Sequence, residues 1–176
     1  MSQQATLGGG CFWCLEAVYQ HVKGVRRVES GYAGGNATDA NYDAVCSGGT
    51  DHAEVVRLEF DPSVISFKKL LEILFAIHDP TTLNRQGNDV GSQYRSVIFT
   101  HDDEQKSVAT GLVNHLNESG IFDDKIVTEI SDLPTYYPAE DYHQNYFNSH
   151  PDQGYCAFVV SPKVVKFRAQ FKDLLI

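Results

Sequence analysis

The sequence predicts an α+β fold: an α/β two-layer sandwich on a ferredoxin-like split βαβ core, with a mixed sheet and an extended, loop-rich C-terminal region. Three observations point there. Strand-like and helix-like patterns follow one another in the order β-α-β-β-α-β-α-β before a stretch rich in Tyr, Pro and His. Apolar residues at helical spacing alternate with short runs that change face at every residue, which suits helices laid on one face of a sheet. No repeat, low-complexity tract or linker divides the 176 residues, so the chain reads as a single domain spanning 1–176.

Taken in order, Ala5-Thr6-Leu7 is a short strand leading into Gly8-Gly9-Gly10, where the backbone is free to turn sharply. Leu15 to His21 is an amphipathic helix ended by Gly24, and Val25 to Ser30 a strand closed by Gly31-Tyr32-Ala33-Gly34-Gly35. The polar, glycine-rich segment from Gly34 to Asp51 carries Tyr42 and Cys46. It is long for a connection inside a compact domain, and long ordered loops are commonly functional. His52 to Phe60 alternates as a strand, stops at Asp61-Pro62, and sets Glu54 among Ala53, Val55 and Val56. Phe67, Leu70, Leu71, Leu74, Phe75 and His78 then keep helical spacing from Ser66 up to Asp79-Pro80. A polar loop, Arg85 to Gln93, runs into a strand from Tyr94 to Thr100. Asp102 or Asp103 caps a helix bearing Val108, Leu112, Val113 and Leu116, with Gly120 as its stop. Ile126 to Ile130 is one more strand, and Ala139 to Phe147 a helix within the Leu133–Pro151 region. Gly154-Tyr155-Cys156 opens a short apolar run, and Pro162 to Leu174 is a last helix with Val164, Phe167, Phe171 and Leu174 on one face.

Composition narrows the function. A net charge of −9 argues against nucleic-acid binding, which wants a basic face, and against docking on anionic membranes. No apolar run approaches the roughly 20 residues that span a bilayer. Met1-Ser2-Gln3-Gln4 lacks the basic and apolar regions of a signal peptide, so a cytoplasmic location is expected. In that compartment thiols stay reduced, and Cys11, Cys14, Cys46 and Cys156 read as redox chemistry better than as a disulfide framework.

The chemistry gathers at Gly8-Gly9-Gly10-Cys11-Phe12-Trp13-Cys14. The turn delivers Cys11 to the start of a helix, where unpaired N–H groups and the helix dipole favour a thiolate. Phe12 and Trp13, the chain's sole tryptophan, stand beside that nucleophile as an apolar substrate pocket. Cys11-x-x-Cys14 alone fits thioredoxin-like redox chemistry or half of a zinc site. Zinc is disfavoured, because there is no second C-x-x-C and the histidines show no ligand spacing. Glu54, among apolar neighbours, has its ionised form disfavoured and becomes a candidate proton donor. Two rival readings are a general dithiol oxidoreductase using Cys11 and Cys14, and a non-enzymatic zinc or redox-responsive binding module.

Several motifs occur in one order: Gly10-Cys11-Phe12-Trp13, Tyr42-Asp43-Ala44-Val45-Cys46-Ser47, His52-Ala53-Glu54, Gln86-Gly87-Asn88-Asp89, Gln93-Tyr94-Arg95-Ser96, Tyr137 to Gln144, and Gly154-Tyr155-Cys156. Together they resemble the A-type peptide methionine sulfoxide reductases, from about Leu7 to Cys156. The resemblance implies thiol-dependent reduction of the S epimer of methionine sulfoxide, free or in proteins. Cys11 would attack sulfur and become a sulfenic acid, while Glu54, Tyr42 and Tyr94 hold the sulfoxide oxygen. Phe12 and Trp13 would enclose the methyl group, and Asp89 would orient the surrounding hydrogen bonds. A second cysteine would form a disulfide that thioredoxin, or dithiothreitol in vitro, reduces, with no metal and no bound cofactor. The resemblance favours Cys156 as that resolving thiol. Cys14, which stands where many relatives have glycine, is the rival. Cys46 matches a position read as structural and is expected to be a buried thiol. A monomeric repair enzyme is the expectation, with methionine sulfoxide and thioredoxin as its partners.

Overall fold

A computed structural model describes residues 2–176. The first strand, β1 (Gln3–Gly8), leads through a turn into helix α1 (Phe12–Tyr19), and β2 (Val25–Ala33) follows. The long polar segment folds into a 3₁₀ turn and the short helix α2 (Tyr42–Cys46), capped by the Asn41 side chain accepting the Ala44 N–H at 2.9 Å. Strand β3 (Ala53–Phe60) and helix α3 (Phe67–Ile77) come next; Ser66 Oγ accepts the Lys69 N–H and caps α3. The small hairpin β4 (Arg85–Gln86) and β5 (Asp89–Val90) precedes β6 (Val97–Thr100). Helix α4 (Asp103–Ser119) starts on Asp102 and stops at Gly120, whose φ is +70°, in the left-handed region that glycine favours. Strands β7 (Glu129–Asp132) and β8 (Tyr136–Pro138), helix α5 (Tyr146–Ser149), a wide π turn over Cys156–Val160 and helix α6 (Ser161–Gln170) complete the chain.

The main sheet runs β7-β6-β1-β3-β2-β8. β3 lies between β1 and β2 and is antiparallel to both, so β1-α1-β2 is a split βαβ unit; β6 closes the other side antiparallel to β1. β7 adds parallel to β6, which makes the sheet mixed. Along β3 the alternation sorts the faces. Val56, Leu58 and Phe60 join the large core with α1, α3 and Phe167 of α6, while Ala53 and Val55 join Ala33, Val97 and Phe99 in a smaller cluster behind. Glu54 is in step with Val56 and therefore points to the helix-covered side. This is the predicted architecture.

Some elements differ from the sequence reading. Strand β2 does not close at Gly31 but continues to Ala33, paired with β8; Gly31 leaves room for the Tyr136 ring, which an added Cβ would strike. Gly31→Ala is therefore expected to displace Tyr136 from Glu29 and Arg57 and to lower stability by about 1–3 kcal/mol, read by urea denaturation. The helix expected over 139–147 does not form. The Ser30 N–H and C=O are instead taken by the Gln144 side chain, both at 2.9 Å, as if the β2–β8 ladder went on, and Asn145 turns the chain at φ +58°. Tyr94 sits in a 3₁₀ turn ahead of β6, with its C=O accepting the Gly10 N–H at 3.2 Å. The expected strand at 126–130 begins only at Glu129, since the Val127 N–H is held by Pro80 C=O and the Ile126 N–H by Asn117.

Candidate active site

Gly10, at φ +90°, makes the turn that puts Cys11 at the N-cap of α1. A side chain there would also meet Gln86 at 2.8 Å. All eight residues of α1 are buried, so the helix runs through the core and the cysteine looks into a nearly closed site, 8 % exposed. The helix start does not leave the thiol acidic, as position alone would suggest. Burial, followed by the charges of Glu54 and Cys14, holds the Cys11 thiol well above its ordinary value.

Glu54 is 1 % exposed, and its Oε1 accepts the Phe12 N–H at 3.2 Å. Burial pushes its carboxyl up to about 8, with the Phe12 N–H and the Cys11 side chain pulling the other way and Asp89 adding to the rise. At neutral pH this is a carboxylic acid beside a thiol. That arrangement suits a reaction whose oxygen must receive a proton before it departs.

The other predicted residues gather around the pair. Tyr42 and Tyr94 both have hydroxyls raised by burial first; a hydrogen bond with Cys46 comes next at Tyr42, and Glu54, Cys46 and Cys11 add at both, so both stay protonated donors. Trp13 lies with its ring centroid 6.4 Å from that of Tyr42, and Phe12 is fully buried beside Tyr32. Asp89 comes in through β5, where it accepts the Tyr155 hydroxyl at 2.5 Å. Tyr155 in turn stands edge-on to Trp13 at 5.8 Å.

The cysteines separate in character. Cys14 is 1 % exposed, its N–H donates to the Cys11 C=O at 3.1 Å, and burial lifts its thiol to about 11. Lys163 and the Tyr155 hydroxyl lower it in part. Cys156 is fully buried inside the π turn, its N–H on the Gln153 side chain; burial alone raises it, and neither Cys11 nor Cys14 contributes. Cys46 corrects the expectation of a buried thiol: it ends α2 and is exposed.

Sequence reasoning assigned no role to His143, Tyr146, Glu16 or Glu140, although two of them stood inside a quoted motif. His143 Nδ1 meets the Trp13 indole N–H at 3.0 Å, and Tyr146 stacks on Trp13 at 3.9 Å. Glu16 is buried, and its Oε1 accepts the Tyr146 N–H at 3.2 Å. Glu140 accepts the Tyr32 hydroxyl and the Tyr42 N–H, tying α2 to β2. The only sequence signal was the density of aromatic residues from Tyr136 to Phe147. A surface cleft of about 520 Å³, lined by His78, Asp79, Gln86 and Lys163 among others, lies beside this constellation and is not lined by Cys11.

A family model described as peptide methionine sulfoxide reductase matches residues 3–175. A protein of Polynucleobacter asymbioticus named peptide methionine sulfoxide reductase MsrA is 63 % identical over 173 residues, covering 98 % of this chain and 91 % of the relative. Reduced Mxr1 from Saccharomyces cerevisiae superposes with a TM-score of 0.82 at 35 % identity, over 88 % of this chain and 89 % of that one. Mxr1 solved in complex with Trx2 superposes at 0.58 and 26 % identity, over 82 % and 84 % of the two chains.

Proposed function

Because the chain belongs to the peptide methionine sulfoxide reductase family, we propose that Cys11 and Glu54 are the nucleophile and acid with which it reduces methionine sulfoxide. The observation that carries this assignment is the Glu54 carboxyl buried against the Cys11 thiol, with burial pushing it up to about 8. The carboxyl gives its proton to the sulfoxide oxygen as the Cys11 sulfur attacks the substrate sulfur, and it takes up the thiol proton. In the adduct so formed the substrate's sulfur–oxygen bond and the new bond between the two sulfurs both break, and the hydroxyl passes to Cys11, which becomes a sulfenic acid. The thioether leaves reduced by two electrons, and Cys11 is oxidised by the same two. Tyr42 and Tyr94 hydroxyls hold the oxygen while charge develops on it. Phe12 and Trp13 wall the methyl group, a reading supported by their burial beside the thiol. Asp89 orients the Tyr155 hydroxyl over the site.

Cys14 is the better-supported resolving thiol. Residues three apart at the start of a helix are neighbours, with Cβ atoms about 5–6 Å apart, so the roughly 3.5–4.5 Å of a disulfide requires a local shift of the first turn. The charge of Cys14 is felt at Cys11, whereas the shift at Cys156 comes from burial alone. Its attack on the sulfenic sulfur would form the Cys11–Cys14 disulfide and release water. A dithiol then reduces that bond; the complex of Mxr1 with Trx2 supports thioredoxin in this role. Free and protein-bound S-epimer sulfoxide are the substrates, the working unit is a monomer, and the four unpaired thiols suit a reducing cytoplasm.

One equivalent of each epimer, followed by peptide mapping of the disulfide formed, tests this. Methionine is expected from the S epimer alone, with Cys11 linked to Cys14. Equal use of both epimers would overturn the stereochemical assignment, and a Cys11–Cys156 link would return the resolving role to Cys156.

A further inference from the structure

We propose that His143 is a positioning residue for the sulfoxide pocket: as a neutral imidazole carrying its proton on Nε2, it accepts the Trp13 indole N–H and fixes the ring that walls the site. The inference rests on the role proposed for Trp13 above. It begins with donor and acceptor inventory. An indole nitrogen only donates, so the atom 3.0 Å away, His143 Nδ1, must present a lone pair. That assigns the tautomer without further assumption: the single proton of the neutral ring is on Nε2.

The grip on Trp13 has two parts. His143 holds the edge, and Tyr146 covers one face at 3.9 Å with the planes 5° apart. Tyr146 is itself held by Glu16, one turn along α1 from Trp13, through its N–H at 3.2 Å. The helix bearing Trp13 thus also supplies the support for its partner. His143 has little freedom of its own: it is 1 % exposed, packed between the Tyr42 and Tyr142 rings at 4.3 and 4.1 Å, and its backbone N–H donates to the Glu140 C=O at 2.9 Å, while its ring Nε2 is buried with no hydrogen-bond partner among the described residues. Protonation would place an N–H on Nδ1 facing the indole N–H. The hydrogen bond would be lost and Trp13 released.

The titratable groups around the ring are Tyr42 from α2, Tyr142 from the same turn, Tyr146 from α5 and the Glu140 carboxyl. Tyr42 and Tyr142, both raised by burial first, are uncharged at working pH. Glu140 favours the imidazolium, but burial outweighs it and holds His143 below its ordinary value, so the accepting form prevails at neutral pH.

Trp13 is the only tryptophan, so the protein has a single indole N–H resonance. In the ¹⁵N-labelled wild type that resonance is expected to correlate across the hydrogen bond with His143 Nδ1, and the correlation should vanish on acidification together with the acid limb of kcat/KM. His143→Leu is expected to cut kcat/KM for methionine sulfoxide about 10–100-fold, the scale of a misplaced pocket wall. His143→Asn, whose Oδ1 replaces Nδ1 but does not titrate, should restore most of the rate and lack the acid limb. An indole resonance with no such correlation, wild-type kinetics in His143→Leu, or an unchanged acid limb in His143→Asn would each overturn the proposal. The wild-type resonance and the Asn variant decide the matter even where the Leu variant does not fold. The resonance is read without turnover, so its failure is distinct from a failure of the Cys11–Glu54 assignment.

Discussion

Glu54→Gln is expected to lower kcat/KM for methionine sulfoxide by about 10²–10⁴-fold, the usual worth of a positioned general acid. The amide keeps the shape and can still accept the Phe12 N–H, but it has no proton to give. Its sign with pH is opposite to that of an ordinary surface carboxylate. The folded-state carboxyl titrates near 8, so the wild type should be active below that pH and fall off as pH rises through it. The variant's residual activity should show no such alkaline limb. Stability runs the same way. A carboxyl raised from 4.5 to about 8 by folding contributes fully below 4.5, and its contribution is lost as pH climbs towards 8. At pH 7 the wild type therefore bears a penalty of order 3 kcal/mol that the glutamine lacks. The inactive variant should be the more stable one above pH 6 by denaturant titration; equal activity, or a variant that is less stable at pH 8 than the wild type, would contradict the buried-acid reading.

Cys11→Ser is expected to remove turnover altogether, by about 10⁴-fold or more, because the hydroxyl cannot accept the oxygen and give up two electrons as sulfur does. Methionine release measured over hours should not exceed the uncatalysed background. Substrate binding should persist, since Phe12 and Trp13 are untouched. Activity within tenfold of wild type would mean that another sulfur attacks, and Cys14, one turn away, would be the first to examine.

The central sheet was legible because β3 alternates from Val56 to Phe60 and the helices α3 and α4 announce their caps at Ser66 and Asp102. The residues proposed as nucleophile and acid stand out in the sequence too: Cys11 follows a glycine turn, and Glu54 is an acidic residue on an otherwise apolar face. What was not legible depends on contacts between distant parts of the chain. Nothing local tells that Gln144 will satisfy both backbone groups of Ser30, or that a glycine in β2 leaves room for Tyr136. The same holds for the Trp13–His143 bond and the Asp89–Tyr155 link, which join residues 130 and 66 positions apart. The acidity expected of Cys11 was misjudged because helix position is a local property, whereas desolvation depends on everything packed around the thiol.

Helix α1 is enclosed along its whole length, from Phe12 to Tyr19. Phe12 and Trp13, proposed to wall the substrate, therefore belong to the same enclosed helix that holds the molecule together. Attempts to retune selectivity there would disturb the centre of the molecule with every exchange. Room for such engineering lies instead at Tyr142, which is exposed on a short turn.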